Sequence, residues 1–175
     1  PLSPLTNLPL AHRQLAGFLR GGQPLAGPST VQVDLTDACN QNCIVCWLHA
    51  PGLKSRNRAR VERQATLRWE LFVKLLDELK ELGTTEIYFA GGGEPLLHPR
   101  AWDALELSVS KGFTTSLHTN FSLVDDEGLQ RLLDIGVHYL TVSLWAGSED
   151  TYLATHPGAS PGEYDQIIER LTELN

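Results

Sequence analysis

The sequence predicts an α/β protein built on a parallel sheet, either open or curled toward a barrel. Short β-like runs alternate with longer helical ones, and the unit helix, glycine, strand comes three times in succession. Each β-like run is also followed closely by a distinctive segment: cysteines, glycines with a glutamate, Thr-Asn, or Ser. In βαβ folds the strand C-termini share one face, so the topology would gather these segments in one place.

Residues 1–29 form a leader rich in Pro and Gly, with one short amphipathic helix in LAHRQLAGFLR ending at Gly21-Gly22. VQVDLT (Val31 to Thr36) alternates as a half-buried strand should. TLRWELFVKLLDELKELG sets Trp69, Phe72, Val73, Leu76 and Leu79 on one helical face, with Thr66 as the expected N-cap and Gly83 as the stop. TEIYFA is the second strand, and a helix in RAWDALELSVSKG runs to Gly112. FTTSLH, the helix DDEGLQRLLDIG ending at Gly136, and VHYLTVS supply the third strand, its helix and the fourth strand. The last helix, SPGEYDQIIERLTEL, is expected to start on a capping box of Ser160, Pro161 and Glu163.

The bulk composition suits a single packed domain: 175 residues, 42% hydrophobic and 20% charged. A net charge of −7 argues against a nucleic-acid binder or a membrane-surface protein. No apolar run approaches the roughly 20 residues of a spanning helix, and the N-terminus lacks a signal-peptide pattern. The three cysteines are odd in number and too close together for a disulfide framework, so a reducing cytoplasm is expected. The absence of Met and the first residue Pro1 suggest a processed or excised piece.

Cys39, Cys43 and Cys46, spaced C-x3-C-x2-C, follow the first strand in a polar loop. Thiolates are the soft ligands that iron–sulfur clusters and zinc prefer. The alternatives are three inert buried thiols, or a Cys3His zinc site with His49 as fourth ligand. GGGEP (Gly91 to Pro95) follows the second strand and implies a tight bend or a close approach. It reads equally as a turn with an exposed Glu94 or as a carboxylate offered to a ligand ammonium. Thr119, Asn120 and Ser143 end the third and fourth strands and are, individually, ordinary cap or turn residues. His118 reads as a packed strand histidine or a site residue. Lys54, Arg56, Arg58, Arg60 and Arg63 read as a solvated loop, with a lid over an anionic substrate as the lesser option.

With the cysteines and glycines together, the chain resembles a radical S-adenosylmethionine (radical SAM) enzyme over about residues 30–174. The cysteine motif falls on Cys39, Cys43 and Cys46, with Asn40 after the first, and the Gly-Gly-Glu motif on Gly92, Gly93 and Glu94. LHTNFSLVDDEGLQRLLDIG and TVSLWAGSEDTYLATHPG are similar to the third and fourth βα units of the branch with molybdenum-cofactor synthesis proteins and SPASM-type peptide maturases.

The resemblance implies a partial (β/α) barrel, about four βα units of a (β/α)6 core, over residues 30–175 after the leader of residues 1–29. It implies a [4Fe–4S] cluster on the three cysteines, with the open iron chelated by S-adenosylmethionine. Reductive cleavage would give methionine and a 5′-deoxyadenosyl radical that abstracts hydrogen from a small-molecule or peptide substrate. Gly92, Gly93 and Glu94 would hold the methionine ammonium, and Thr119, Asn120 and Ser143 would contact carboxylate or ribose. A flavodoxin or ferredoxin would supply the electron, with no nucleic acid or membrane as partner. No catalytic residue is assigned. The rival is a non-enzymatic iron–sulfur or zinc module with a structural or electron-transfer role.

Two departures stand out. The position before the third cysteine, often aromatic in the family, is Val45, with Trp47 just beyond, so only backbone contact with adenine is expected there. The sequence ends after a fourth helix where the family has six units. The fourth strand is apolar enough to suit an interior position covered on both faces; in a barrel-like order it would be an open edge. These residues are therefore expected to belong to a longer polypeptide or to be completed by a second chain.

Overall fold

Successive side chains on a strand point to opposite faces, and the register of a parallel sheet turns that alternation into two surfaces. The computed structural model describes residues 8–22, 25–53, 59 and 61–174. Its sheet has four strands, β1 (Thr30–Val33), β2 (Glu86–Phe89), β3 (Thr114–Thr119) and β4 (Tyr139–Val142). They are all parallel and lie in sequence order. Val33, Phe89, Leu117 and Leu140 are successive partners across the sheet, a row that belongs to the core. The adjacent row is polar: Gln32, Tyr88, Ser116 and Tyr139, with the Tyr88 hydroxyl donating to Gln32 Oε1 at 2.6 Å. The α/β architecture with parallel strands is thus borne out, as an open sheet.

Of the two positions open to the fourth strand, the sheet shows the edge expected for a barrel-like order rather than an interior place covered on both faces. Sheet order puts β4 at the edge, beside β3 alone, and Tyr139 is 63% exposed. The apolar content that suggested a doubly covered strand divides between faces: Leu140 and Val142 pack on the core, while Tyr139 lies on the polar side.

The helices are α1 (Leu10–Leu19), α2 (Trp69–Leu82), α3 (Ala101–Ser110), α4 (Asp126–Ile135), α5 (Glu149–Thr155) and α6 (Glu163–Glu173). Each of the last five gives buried residues to one core: Phe72, Leu76 and Leu79; Ala101, Ala104 and Leu105; Leu129 and Leu132; Tyr152; Ile167. Burying a side chain of the Leu or Phe class stabilises by about 1.5–3 kcal/mol. The expected stops hold, with Gly83 and Gly136 in the left-handed conformation at the ends of α2 and α4. The leader helix α1 is tied down by polar contacts, Arg13 donating to Leu25 O and Gln14 to Gly27 O. Leu15, Phe18 and Leu19 stay exposed. No helix among the described residues is long and apolar enough to cross a membrane.

Several local expectations give way to longer-range contacts. β1 ends at Val33, and Thr36 instead forms an isolated antiparallel bridge with Thr66. Thr66 is therefore not the N-cap of α2; Arg68 is, with no side-chain cap. Val73 is only partly buried, and Leu75 takes its place against the core. The capping box at Ser160 forms only in its Glu half: Ser160 N–H lies 3.5 Å from Glu163 Oε2, while Gly162 is the N-cap of α6 and no side chain caps it. Helix α5 was not expected, although Ser148 and Thr151 form a capping box at its start. Of the basic run, Lys54, Arg56, Arg58 and Arg60 lie outside the described residues.

Candidate functional site

A parallel sheet leaves the C-terminal ends of its strands open on one face, and a cavity of about 280 Å³ lies there. That is near the lower end of ligand-pocket sizes, roughly 300–1,000 Å³. Its walls come from segments after all four strands: Cys39, Cys43, Val45 and Cys46; Gly91, Gly93 and Glu94; Thr119 and Asn120; Ser143. His118, Trp47 and Trp145 complete much of the rim. Of the residues expected at the site, Gly92 alone does not line the cavity and is buried; Gly91 lines it instead. His118 lies against Tyr88, ring centroids 5.1 Å apart, while lining the cavity.

The glycines are there first for packing. A Cβ on Gly93 would sit 2.0 Å from Ala38 O and 2.6 Å from Thr36 O. Gly91, at φ 132°, has the Asp34 carboxyl where a Cβ would be. The glycine loop is thus pressed against the chain that leads into the cysteines. Glu94 N–H seals the contact by donating to Ala38 O at 2.8 Å.

Glu94 is not the exposed turn residue of the plain reading: it is 2% exposed. Its carboxylate accepts from Leu96 N–H at 3.1 Å and from the Thr119 hydroxyl at 2.7 Å on Oε1. Asn120 N–H donates to Oε2 at 2.7 Å. Burial pushes its carboxyl above the usual range, and these hydrogen bonds from Asn120, Thr119 and Leu96 oppose that. No basic side chain pairs with it among the described residues. A buried carboxylate held only by neutral donors is suited to a cation brought by a ligand.

The turn after β3 is built to aim Asn120 N–H at Glu94. Phe121 takes a left-handed φ of 65°, uncommon for a bulky residue, and its N–H bonds the Thr119 hydroxyl at 2.9 Å. The Asn120 side chain donates to Asn40 Oδ1 at 2.9 Å, and Asn40 in turn donates to the Ser122 hydroxyl at 2.8 Å. Asn40 directly follows Cys39, so this polar clasp joins the third strand end to the cysteine loop. Ser143 N–H pairs with Thr119 O at 2.9 Å. Trp145, also at positive φ (46°), is 63% exposed at the rim.

All three cysteines are free and partly buried. Burial, offset in part by the Gln41 N–H, drives the Cys39 thiol up to about 11; burial raises Cys43 as well. Backbone N–H groups point at two of the sulfurs, Gln41 at Cys39 Sγ (3.5 Å) and His49 at Cys46 Sγ (3.1 Å). Among the described residues no three His, Cys, Asp or Glu side chains converge to hold a single metal ion. A lone zinc needs that convergence, with each sulfur about 2.3 Å from one point. A cluster does not, because each thiolate binds a different iron. The fourth ligand of a zinc site is also committed: His49 is buried, absent from the cavity wall, and its Nε2 lies 2.9 Å from Asp37 O. Three thiols spread round one mouth fit a cluster better than a zinc ion.

Sequence reasoning missed Gln41, Glu163 and Trp145. Trp145 could have been suspected from its place two residues after Ser143. Gln41 and Glu163 meet only in the fold, with Gln41 Nε2 donating to Glu163 Oε1 at 2.6 Å.

The model of the radical SAM superfamily matches residues 33–175. A tungsten-containing aldehyde ferredoxin oxidoreductase cofactor-modifying protein of Pyrococcus furiosus is 29% identical over 113 residues, 64% of this chain and 29% of the relative. A PqqA peptide cyclase of Rhodopseudomonas palustris is 29% identical over 143 residues, 81% of this chain and 35% of the relative. The chain thus spans well under half the length of these curated relatives. Among solved structures, SuiB of Streptococcus suis bound to the precursor peptide SuiA has a TM-score of 0.70 at 18% identity. That alignment covers 94% of this chain and 35% of SuiB.

Proposed function

Because the chain belongs to the radical SAM superfamily, whose members use a [4Fe–4S] cluster and S-adenosylmethionine, we propose that its cavity is the site of reductive S-adenosylmethionine cleavage. When bound, the cluster supplies the electron that splits the sulfonium into methionine and a 5′-deoxyadenosyl radical, which takes hydrogen from substrate. Cys39, Cys43 and Cys46 are the residues that would hold the cluster. The observation that carries this reading is that the three cysteines share a cavity wall with Gly93 and the buried Glu94.

The chain's own groups then have separable tasks. Glu94 offers negative charge to the methionine ammonium, with the backbone of the adjoining Gly93, which lines the cavity, beside it. Thr119 works through Glu94, since its hydroxyl already donates there. Asn120 and Ser143 line the wall where carboxylate or ribose would lie, and Val45 offers backbone to adenine. A flavodoxin or ferredoxin is the reductant. The substrate is a small molecule or a peptide; a peptide is supported by the relative named PqqA peptide cyclase and by SuiB with its precursor peptide.

The test is anaerobic reconstitution with iron and sulfide, then addition of dithionite and S-adenosylmethionine. A brown protein that bleaches on reduction and releases 5′-deoxyadenosine and methionine is expected. A colourless protein that takes up zinc and releases neither would reject the proposal.

A further inference from the structure

The cysteine loop is held from a second side, by the last two helices. Ile44 N–H donates to Thr155 O at 2.9 Å, at the end of α5. Gln41, 4% exposed, donates through Nε2 to Glu163 Oε1 at 2.6 Å, in the first turn of α6. The hydroxyl of the fully buried Tyr152 donates to the same oxygen at 2.7 Å. Ser160 N–H lies 3.5 Å from Oε2. Tyr152 is itself fixed, stacked on His156 with centroids 4.2 Å apart. Gln41 and Ile44 lie on either side of Cys43 in the chain, so both ends of that segment are pinned.

The partner chosen for this pin is a carboxylate, although a neutral acceptor could receive the same two hydrogen bonds. Gln41 lines the cavity with Cys39 and Cys43, so the carboxylate it holds lies one side chain behind the wall that carries those thiols. Burial raises the Tyr152 phenol, and Glu163 adds to the effect.

We propose that Glu163 is a positioning and charge-setting residue, whose carboxylate, fixed by Gln41 and Tyr152, holds the Cys43 segment and lowers the reduction potential of the cluster bound there. This rests on the cluster assignment above. Taking up one electron adds one negative charge to the cluster, and a fixed negative charge close by opposes that. The device keeps the cluster a strong reductant while ordering its loop.

Glu163→Gln keeps the shape and the two hydrogen bonds accepted on Oε1, gives up the long one from Ser160 N–H on Oε2, and removes the charge. Tyr152→Phe keeps the charge and removes a donor that partly neutralises it. Dithionite-poised redox titration of the reconstituted protein, followed by absorbance or by the spin signal of the reduced cluster, reads both. At the wild-type midpoint, Glu163→Gln should shift the reduced-to-oxidised ratio at least threefold toward reduced, about 28 mV at 59 mV per decade. Tyr152→Phe should shift it the other way. A merely structural role would move both variants in the same direction, by loosening one loop, or move neither; either result overturns the proposal. If Glu163→Gln takes up no iron, Tyr152→Phe decides alone: a lower potential supports the proposal, and an equal or higher one overturns it. A wild-type protein that forms no cluster would instead reject the functional reading beneath it.

Discussion

The Thr119 hydroxyl donates to Glu94 Oε1 at 2.7 Å, which ties the end of the third strand to the glycine loop after the second. With Asn120 N–H on Oε2 and Glu94 N–H on Ala38 O, one glutamate joins three strand ends around the cavity. Thr119 and Glu94 are therefore parts of one scaffold rather than two independent contacts to a ligand.

Removing the hydroxyl tests this. Thr119→Val keeps the shape but leaves Glu94 Oε1 with Leu96 N–H as its remaining partner, and leaves Phe121 N–H without its acceptor. Unpaired buried polar groups cost about 1–3 kcal/mol. Urea unfolding should show a loss of that size, and a variant as stable as wild type would show the bond to be idle.

Glu94→Gln removes the charge offered to the ligand. Isothermal titration with S-adenosylmethionine should show binding weaker by roughly 1.5–3 kcal/mol, the worth of a charge-assisted hydrogen bond. Iron content should not change. Equal affinity would return Glu94 to a purely structural role.

The same substitution carries a pH signature. The folded-state pKa of Glu94 is raised, chiefly by burial, above the ordinary carboxyl value of about 4.5. Between the unfolded and folded pKa values the folded state binds the extra proton, so its stability falls as pH rises. The contribution is fully present below about 4.5 and is lost as pH climbs through the folded value. The stability of Glu94→Gln relative to wild type should therefore improve from pH 4 to pH 7 in urea unfolding. A difference that widens toward pH 7 would reverse the sign of the shift.

Gly93→Ala forces a Cβ to within 2.0 Å of Ala38 O, a backbone atom that cannot swing away. Overpacking of this kind costs about 1–3 kcal/mol. Since Ala38 precedes Cys39, iron uptake should fall along with the urea midpoint. A variant that loads iron fully at unchanged stability would mean that the two loops do not need their close fit.

What was legible in the sequence follows from the range of the interactions. Alternation in VQVDLT, the β-like runs TEIYFA and FTTSLH, and the glycines at 83, 112 and 136 act within a few residues; they placed β2, β3 and the helix ends closely, while β1 stops at Val33, short of the expected Thr36. The cap at Thr66 failed because a distant partner competed, Thr36 pairing with Thr66; at Ser160 the Glu163 contact to the backbone N–H is present, but Gly162 takes the N-cap position. The gathering of Cys39, Cys43, Cys46, Gly93, Glu94, Thr119 and Ser143 around one cavity was legible from topology alone. That Glu94 would be buried under three neutral donors was not, since those donors lie in a turn 25 and 26 residues away and in the next loop residue but one. The Gln41–Glu163 contact spans 122 residues and left no local trace.

The central claim is that Cys39, Cys43 and Cys46 together hold one cluster at the strand ends. The most direct measurement is the iron content of the anaerobically reconstituted wild type beside Cys39→Ala, Cys43→Ala and Cys46→Ala. The account predicts about four irons per wild-type chain and loss of the cluster in each variant. Full iron and full absorbance retained in Cys39→Ala would contradict it.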